Sequence, residues 1–460
     1  MVKKTAKTTS FFVALVLTAT TFFAYHNNVE LRAMPFPSDL PVAEEVKYDR
    51  TTTTQVSDAW GFLAAYKITQ ITRIVLLNDI ELPPDVARLL REQRRVQSLQ
   101  IDGQGHTMKS ISNAAQSDST TFYLDRPRTA KATFHLKNMN IWSRGTNFID
   151  ANGVGRSDGW DIILENTTFG MNGAQQDEVR RVVRGDLADL YLRGDVEMMS
   201  HGENAIVSSV TVAPRASVYG VVTYFDNATW WIKNARAKGT INIGQGASVG
   251  LAGNKMGYPV IYEHWRGINV HKDAILKAYK PGGSVYAFKV TPGVEDKYIN
   301  VAEGAQFSGV SENGGGATLD IPSGRLRARI HAGRNSAFTL IGNPSSTNTA
   351  VLSVAARGST VTFDSASAVD IRNNCTGGRA INIGSDSLLD ITNANVRTWN
   401  KGRNRDLDGA ASHTWHRVSL KADGTGRARR TDNESIYATW DTNDYARIIC
   451  WHVSPPINLP

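Results

Sequence analysis

Three carboxylates, Asp150, Asp158 and Asp161, fall within twelve residues of one another, with Arg144 and Arg156 close by. Carboxylates gathered in one cleft can hold a calcium ion, and an arginine beside them can take a proton from an acidic sugar. Two close carboxylates are also what hydrolysis of a glycosidic bond requires. If the chain is an enzyme, Asp150, Asp158, Asp161 and Arg156 are the residues that would carry catalysis. A scatter of Asp, Asn and Arg is equally what turns between strands contain, and that is the preferred reading. Asn404-Arg-Asp-Leu-Asp-Gly409 has the alternating oxygen pattern that opens a calcium loop, with Asn404, Asp406 and Asp408 as candidate ligands. Its twelfth position is Trp415 where a bidentate glutamate is needed, so a plain turn rich in Asx residues is favoured. Calcium is thus the single cofactor candidate, and no other metal or cofactor is called for.

Aromatic residues offer a different chemistry, since sugar rings stack on exposed aromatic faces. Tyr219, Tyr224, Trp230, Trp231, Tyr258, Tyr262 and Trp265 cluster in one part of the chain. Arg144, Tyr224, Trp230, Trp231, Tyr262 and Trp265 are the candidate ligand-binding residues. The competing reading is that these rings fill the core.

The elements that must position these residues are short strands. Arg73-Ile-Val-Leu-Leu-Asn-Asp-Ile-Glu-Leu82 and Leu99-Gln-Ile-Asp-Gly-Gln-Gly-His-Thr-Met108 are β-branched or apolar runs that stop at Asn, Asp or Gly. Gly103 and Gly105 allow the positive φ that such a corner requires, and His106 is expected to bond to backbone there. Leu136-Lys-Asn-Met-Asn-Ile141 and Leu164-Glu-Asn-Thr-Thr-Phe169 repeat the shape. From Val210 onward an apolar-polar-apolar unit followed by small turn residues recurs at Ile241, Ile268, Ile299, Leu352 and Ile381. The starts are close to evenly spaced, except that the interval from Ile299 to Leu352 is nearly two units, and Ile330 sits inside it as a missing copy. A short period of this kind, built from strands, marks a β-solenoid in which each unit buries its face only against its neighbours. The expectation is an all-β, right-handed parallel β-helix of about twelve coils, with a short N-terminal capping helix. That helix follows Ser57 and carries Trp60, Leu63, Ala64 and Lys67 on one face. A second, Pro-initiated helical excursion ends in arginines at 88, 91, 94 and 95, expected to form a solvated face.

The division of the chain follows from composition. Lys3, Lys4 and Lys7 before the apolar run Phe11–Ala24 read as a secretory signal or N-terminal anchor over residues 1–33. Residues 34–56, with three prolines and four consecutive threonines, read as an extended tether. The β-helix is expected over 57–397 and a C-terminal capping segment over 398–460. A formal charge of +8 attracts polyanions, yet no nucleic-acid-binding motif accompanies it. Cys375 and Cys450 either pair or remain two free thiols; a Cys-rich metal site is excluded.

The order of helix, Ile-Val-Leu-x-Asn-Asp-Ile, Ile-Asp-Gly-x-Gly-His-Thr and Leu-x-Asn-x-x-Ile/Phe resembles the pectate-lyase-like adhesive domain of Gram-positive bacterial surface proteins. The resemblance runs from about Ser57 to Ile391, and Thr398-Trp-Asn and Thr414-Trp-His-Arg-Val are similar to the segment that follows it. It implies a parallel β-helix at the cell surface with an adhesive or glycan-contacting role. The Trp-Ile-Asp-His signature of true pectate lyases has no counterpart; Trp230-Trp-Ile-Lys233 lacks the carboxylate. The expected function is therefore that of a secreted or cell-surface, non-catalytic adhesin or glycan-binding protein. Its expected partner is a cell-wall or host glycan or a matrix component, with no nucleic acid and no membrane beyond the N-terminal signal. The alternative is a polysaccharide lyase or glycoside hydrolase acting on acidic glycans.

Overall fold

The computed structural model describes residues 40–452 apart from 112–119, 152–157, 171–178, 225–226, 236–238, 255–256, 290–295, 325–326, 365–366 and 403–405. The basic and apolar N-terminal stretch lies outside these residues. Among the described residues no helix is long and apolar enough to cross a membrane.

The strands stack into a parallel β-solenoid of about 10 turns, rather than the twelve expected, with few helices. At the usual strand spacing this is a rod about 45–50 Å long. Three faces run along it. Face A begins with Thr53–Val56, Arg73–Leu76 and Leu99–Asp102. Face B runs from Ile80–Leu82 to Ala368–Asn373, and face C from Phe122–Tyr123 to Ile381–Ile383. Alternation along each strand sends one set of side chains inward, and these form one continuous core from Val56 to Cys450. Val210, Ile241, Ile268, Ile299, Ile330, Val361 and Leu389 lie rung upon rung on face A. On the outside of that face the Asn of each Ile-Asn-Val unit bonds to the next. Asn269 Nδ2 donates to Asn242 Oδ1 and Asn300 Nδ2 to Asn269 Oδ1, both at 2.9 Å.

Leu352 and Ile381 do not continue this series. They lie on face C, in line with Leu319. The face A copy after Ile330 is Val361, one ordinary period further on, so the apparent double interval before Leu352 is a change of corner. Both corners join strands through a few small residues, and the apolar-polar-apolar pattern cannot tell them apart.

At the opening corner Gln104 (φ 52) and Gly105 (φ 89) take the left-handed conformation. Gly103 does not; it is needed because a Cβ there would lie 2.3 Å from Met139 Cβ in the next coil. Asn138 (φ 50) and Asn166 (φ 49) turn the following corners, as asparagine does at modest strain. Asn166 Nδ2 donates to Asn138 Oδ1 at 3.0 Å, tying one corner to the next. His106 bonds to a carboxylate rather than to backbone, with Nδ1 3.3 Å from Asp79 Oδ1.

The first helix, Ala59–Lys67, is N-capped by Asp58, whose Oδ1 accepts from the Gly61 amide at 2.9 Å. It buries Phe62, Leu63 and Tyr66 over the end of the core, while Trp60 is 58% exposed. The helical face is thus rotated from the one expected. Arg95 departs further from expectation. It is buried, and its guanidinium donates to the carbonyls of Tyr66, Ile71, Gln97 and Ser98, closing the C-terminal end of that helix onto the first coils. At the other end His413–Asp423 and Tyr445–Trp451 pair antiparallel with the last coils, where the parallel stack stops. Cys450 is buried there and Cys375 half-buried, and the two are not joined by a disulfide.

The extended residues before the first strand lie across the outside of face A. Ala43 packs on Ile163 and Tyr191, and Glu45 pairs with Arg193 at 2.6 Å. The Glu44 amide donates to Asp161 Oδ2 at 2.9 Å, and Thr72 Oγ1 donates to the Lys47 carbonyl at 2.9 Å. This strap therefore crosses several rungs at right angles to the strands.

Candidate functional site

The outward positions of face C form a row: Tyr123, Asp150, Arg184, Ile206, Trp231, Tyr262, Ala287, Asp320 and Ser353. Strand alternation puts Trp230 in the inward row, fully buried, while Trp231 faces out. Trp231 and Tyr262 are register partners, with ring centroids 5.7 Å apart. Tyr258 joins them from the turn between faces B and C, 5.2 Å from Trp231 and 5.6 Å from Tyr262. Its ring is 42% exposed, and its carbonyl is held from below by the buried Lys280 ammonium. Ala287 leaves the next rung without a bulky side chain over Tyr262.

Charged groups surround the three rings. Glu263 is buried, at a strained φ of 87, and accepts from Trp231 Nε1 and, at 2.6 Å, from Lys289 Nζ. The Lys289 ammonium lies 5.1 Å from the Tyr262 ring centre and that of Lys233 5.3 Å from Trp231. The hydrogen bond to Glu263 pushes Lys289 up to about 12, so it stays charged. Burial pushes the His264 imidazole below its ordinary range. Three tilted aromatic faces with fixed charges at their margin make a platform on which the apolar face of a sugar can stack while its hydroxyls reach polar groups.

The remaining residues singled out in the sequence do not join this platform. Trp265 is fully buried in the core, as is Trp230, because both indoles point inward. Tyr224 is exposed at a separate turn against His201, ring centres 5.8 Å apart, and Arg144 ends a face B strand, half-buried. The carboxylates are not gathered in one cleft. Asp150 lies on face C, where Asn147 Nδ2 donates to it at 2.7 Å, and Asp158 is exposed in a turn. Asp161 is buried on face A with Lys131 Nζ at 2.9 Å. Arg156 and Asn404 lie outside the described residues. Asp406 and Asp408 form a turn in which both Asp408 oxygens are occupied by Arg372, at 2.6 and 3.0 Å, and Arg447 adds a third contact at 3.1 Å. The Arg372 hydrogen bond holds Asp408 below its usual range, and two guanidinium groups stand where a calcium ion would be repelled. Among the described residues no group of three His, Cys, Asp or Glu is placed to hold a metal.

A carboxylate neighbour that sequence proximity missed is Asp189, the register partner of Asp161 one coil further on. Burial pushes Asp189 up, and Ser209 Oγ donates to it at 2.6 Å. Their separation by one coil period along the chain is the signal that relates the two. On the same face Glu165 is held down to about 2 by hydrogen bonds from His135 and Lys137, which outweigh its burial. A depressed folded-state value contributes stability above the unfolded value, 4.5, that is lost as pH falls toward 2. The melting temperature is expected to fall across that window, and Glu165→Gln to flatten the fall; an unchanged slope in the variant would remove the assignment.

Residues 53–184 match the profile of the pectate lyase-like adhesive domain family. No curated protein matches the chain. One solved structure, described as L. reuteri 53608 SRRP, aligns over 61% of this chain and 97% of its own, with 16% identity and a TM-score of 0.44. The profile match falls on the coils that carry the Ile-Asp-Gly-x-Gly-His-Thr corner and both Leu-x-Asn units, so it is these N-terminal coils that are similar to the pectate lyase-like adhesive domain.

Proposed function

We propose that this is an exported, cell-surface, non-catalytic adhesin whose rod binds a cell-wall, host or matrix glycan at the Trp231, Tyr258 and Tyr262 platform. The observation that carries the reading is the outward register pair Trp231 and Tyr262 with an exposed third ring beside it. Locking of Trp231 by Glu263 supports it, because a ring held in place before binding loses less entropy when a ligand arrives. The spread of Asp150, Asp158 and Asp161 over different faces and turns argues against a paired-carboxylate mechanism at these residues.

The test is binding to an array of neutral and acidic glycans, followed by titration of the best ligand. Trp231→Ala and Tyr262→Ala are each expected to weaken binding by about 10- to 100-fold, the loss of about 1.5–3 kcal/mol typical of an aromatic anchor. Tyr437→Ala, which removes an exposed ring elsewhere, is expected to leave it unchanged. Equal binding by the wild type and both platform variants would refute the site, and ligand turnover by the wild type would refute the non-catalytic reading.

A further inference from the structure

Face B differs from the other two in what it turns to solvent. Face A carries ion pairs beside the strap, and the outward row of face C carries Asp150, Arg184 and Asp320. On face B, Met199, Val221, Ala252, Tyr279, Val310 and Ile341 follow one another on six successive rungs, all on the outward side of their strands. Met199, Val221, Val310 and Ile341 keep part of their surface open to solvent. Trp142 lies in the same row two rungs before Met199, and the turn carrying Asp408 closes the row at Arg372, one rung beyond Ile341. A sheet face that ends in water carries polar residues outward, so an apolar row of this length marks a docking surface.

The charges on this face indicate its partner. In the neighbouring outward row Glu197, Tyr219, Gly250 and Lys277 occupy four successive rungs. Glu197 is exposed and Lys277 half-buried, and among the described residues neither has an ion-pair partner. Burial pushes the Lys277 ammonium below its ordinary range. The two charges lie at equal distances on either side of a line between the Tyr219 and Gly250 strands, and the same line halves the span from Trp142 to Ile341. A second copy turned by a two-fold rotation about that line meets the first face to face with the rods antiparallel. Glu197 of each copy then faces Lys277 of the other, Tyr219 faces Gly250, and Met199 faces Tyr279. Parallel rods would instead bury each charge against Met199 or Tyr279, so the charges select the antiparallel arrangement. From Trp142 to Ile341 the face spans eight rungs, which with strands about 17 Å long covers about 650 Å² per copy. Specific interfaces begin at about 600 Å² per partner, so the face suffices for a stable dimer. We propose that two copies of the chain pack side by side through face B, rods antiparallel, about the two-fold between the Tyr219 and Gly250 strands. The contact is isologous and uses up face B in both copies, so the assembly stops at a dimer. The Trp231 platform on face C and the strap on face A stay uncovered.

Sedimentation equilibrium of the full chain is expected to show a mass that rises with concentration from one chain to two. Lys277→Glu turns both attractions into repulsions between carboxylates and is expected to lower the association constant by about tenfold or more. Glu197→Lys does the same with ammonium groups. A mixture of these two variants restores both attractions in the mixed pair and is expected to dimerise where each alone does so poorly. Val221→Lys, at an outward position beside the two-fold, provides an independent disruption that is expected to leave the monomer folded by circular dichroism. A monomer at all concentrations up to about 0.1 mM overturns the proposal. So does a dimer as strong in Lys277→Glu and Val221→Lys as in the wild type, an assembly larger than two chains, or a mixture of the two folded charge variants that stays monomeric.

Discussion

Phe338→Ala is expected to destabilise the middle of the rod by about 3–5 kcal/mol, the usual penalty for emptying a buried aromatic site. Phe338 is fully buried, with the Phe307 ring 5.2 Å away on one side and Phe363 5.7 Å away on the other. These rings belong to successive coils, so the cavity opens at a junction between repeats. In a solenoid each repeat is coupled only to its neighbours, and a weakened junction lets the two halves unfold separately. Urea denaturation should therefore show a lower midpoint and a transition that broadens or splits, with amide exchange fastest between residues 307 and 363. A single transition at the wild-type midpoint would show that the Phe338 stack is not what couples the halves.

Arg95→Met should be comparably costly but act at the end of the rod. The substitution keeps the length of the side chain and removes the guanidinium from the carbonyls of Tyr66 at 3.0 Å, Ile71 at 2.6 Å, Gln97 at 3.1 Å and Ser98 at 3.3 Å. Hydrogen bonds from a charged donor contribute about 1.5–3 kcal/mol each when only one partner is removed, and their sum is not additive, so a loss of about 3–5 kcal/mol is expected. Limited proteolysis should find new cleavage between residues 50 and 76 while coils beyond 200 stay protected. Arg95→Lys should not rescue the variant, since one ammonium cannot span carbonyls that a planar guanidinium reaches together. Uniform destabilisation of the whole rod, or rescue by lysine, would count against this account.

Local patterns carried most of the fold. The Ile-Asn-Val units and the Leu-x-Asn corners announce short strands and sharp turns, and their recurrence makes a solenoid the economical solution. The phase of the repeat was less legible, because Leu352 and Ile381 look like the Ile241 units while lying on another face. Arg95 was hidden for a different reason: its partners include backbone carbonyls a full coil away, which leave no mark on side-chain composition. At the candidate site the cluster of aromatics was visible, and strand alternation divides Trp230 from Trp231 once the strand is known. Grouping carboxylates by distance along the chain misled, since Asp150 and Asp161 are near neighbours in sequence but lie on different faces, whereas Asp161 and Asp189 are register partners. In a solenoid the coil period is the better measure of neighbourhood.

The strap across face A also decides how the rod responds to load. A pull transmitted through the chain before Leu40 does not arrive at the first rung; it arrives on the flank, beside Ile163 and Tyr191. Drawn parallel to the rod axis, the contacts at Ala43, Glu44, Glu45 and Lys47 bear force together, as a lap joint does in shear. Drawn away from the face, they open one after another from Ala43, as tape peels. The same attachment is therefore strong in one direction and weak in the other.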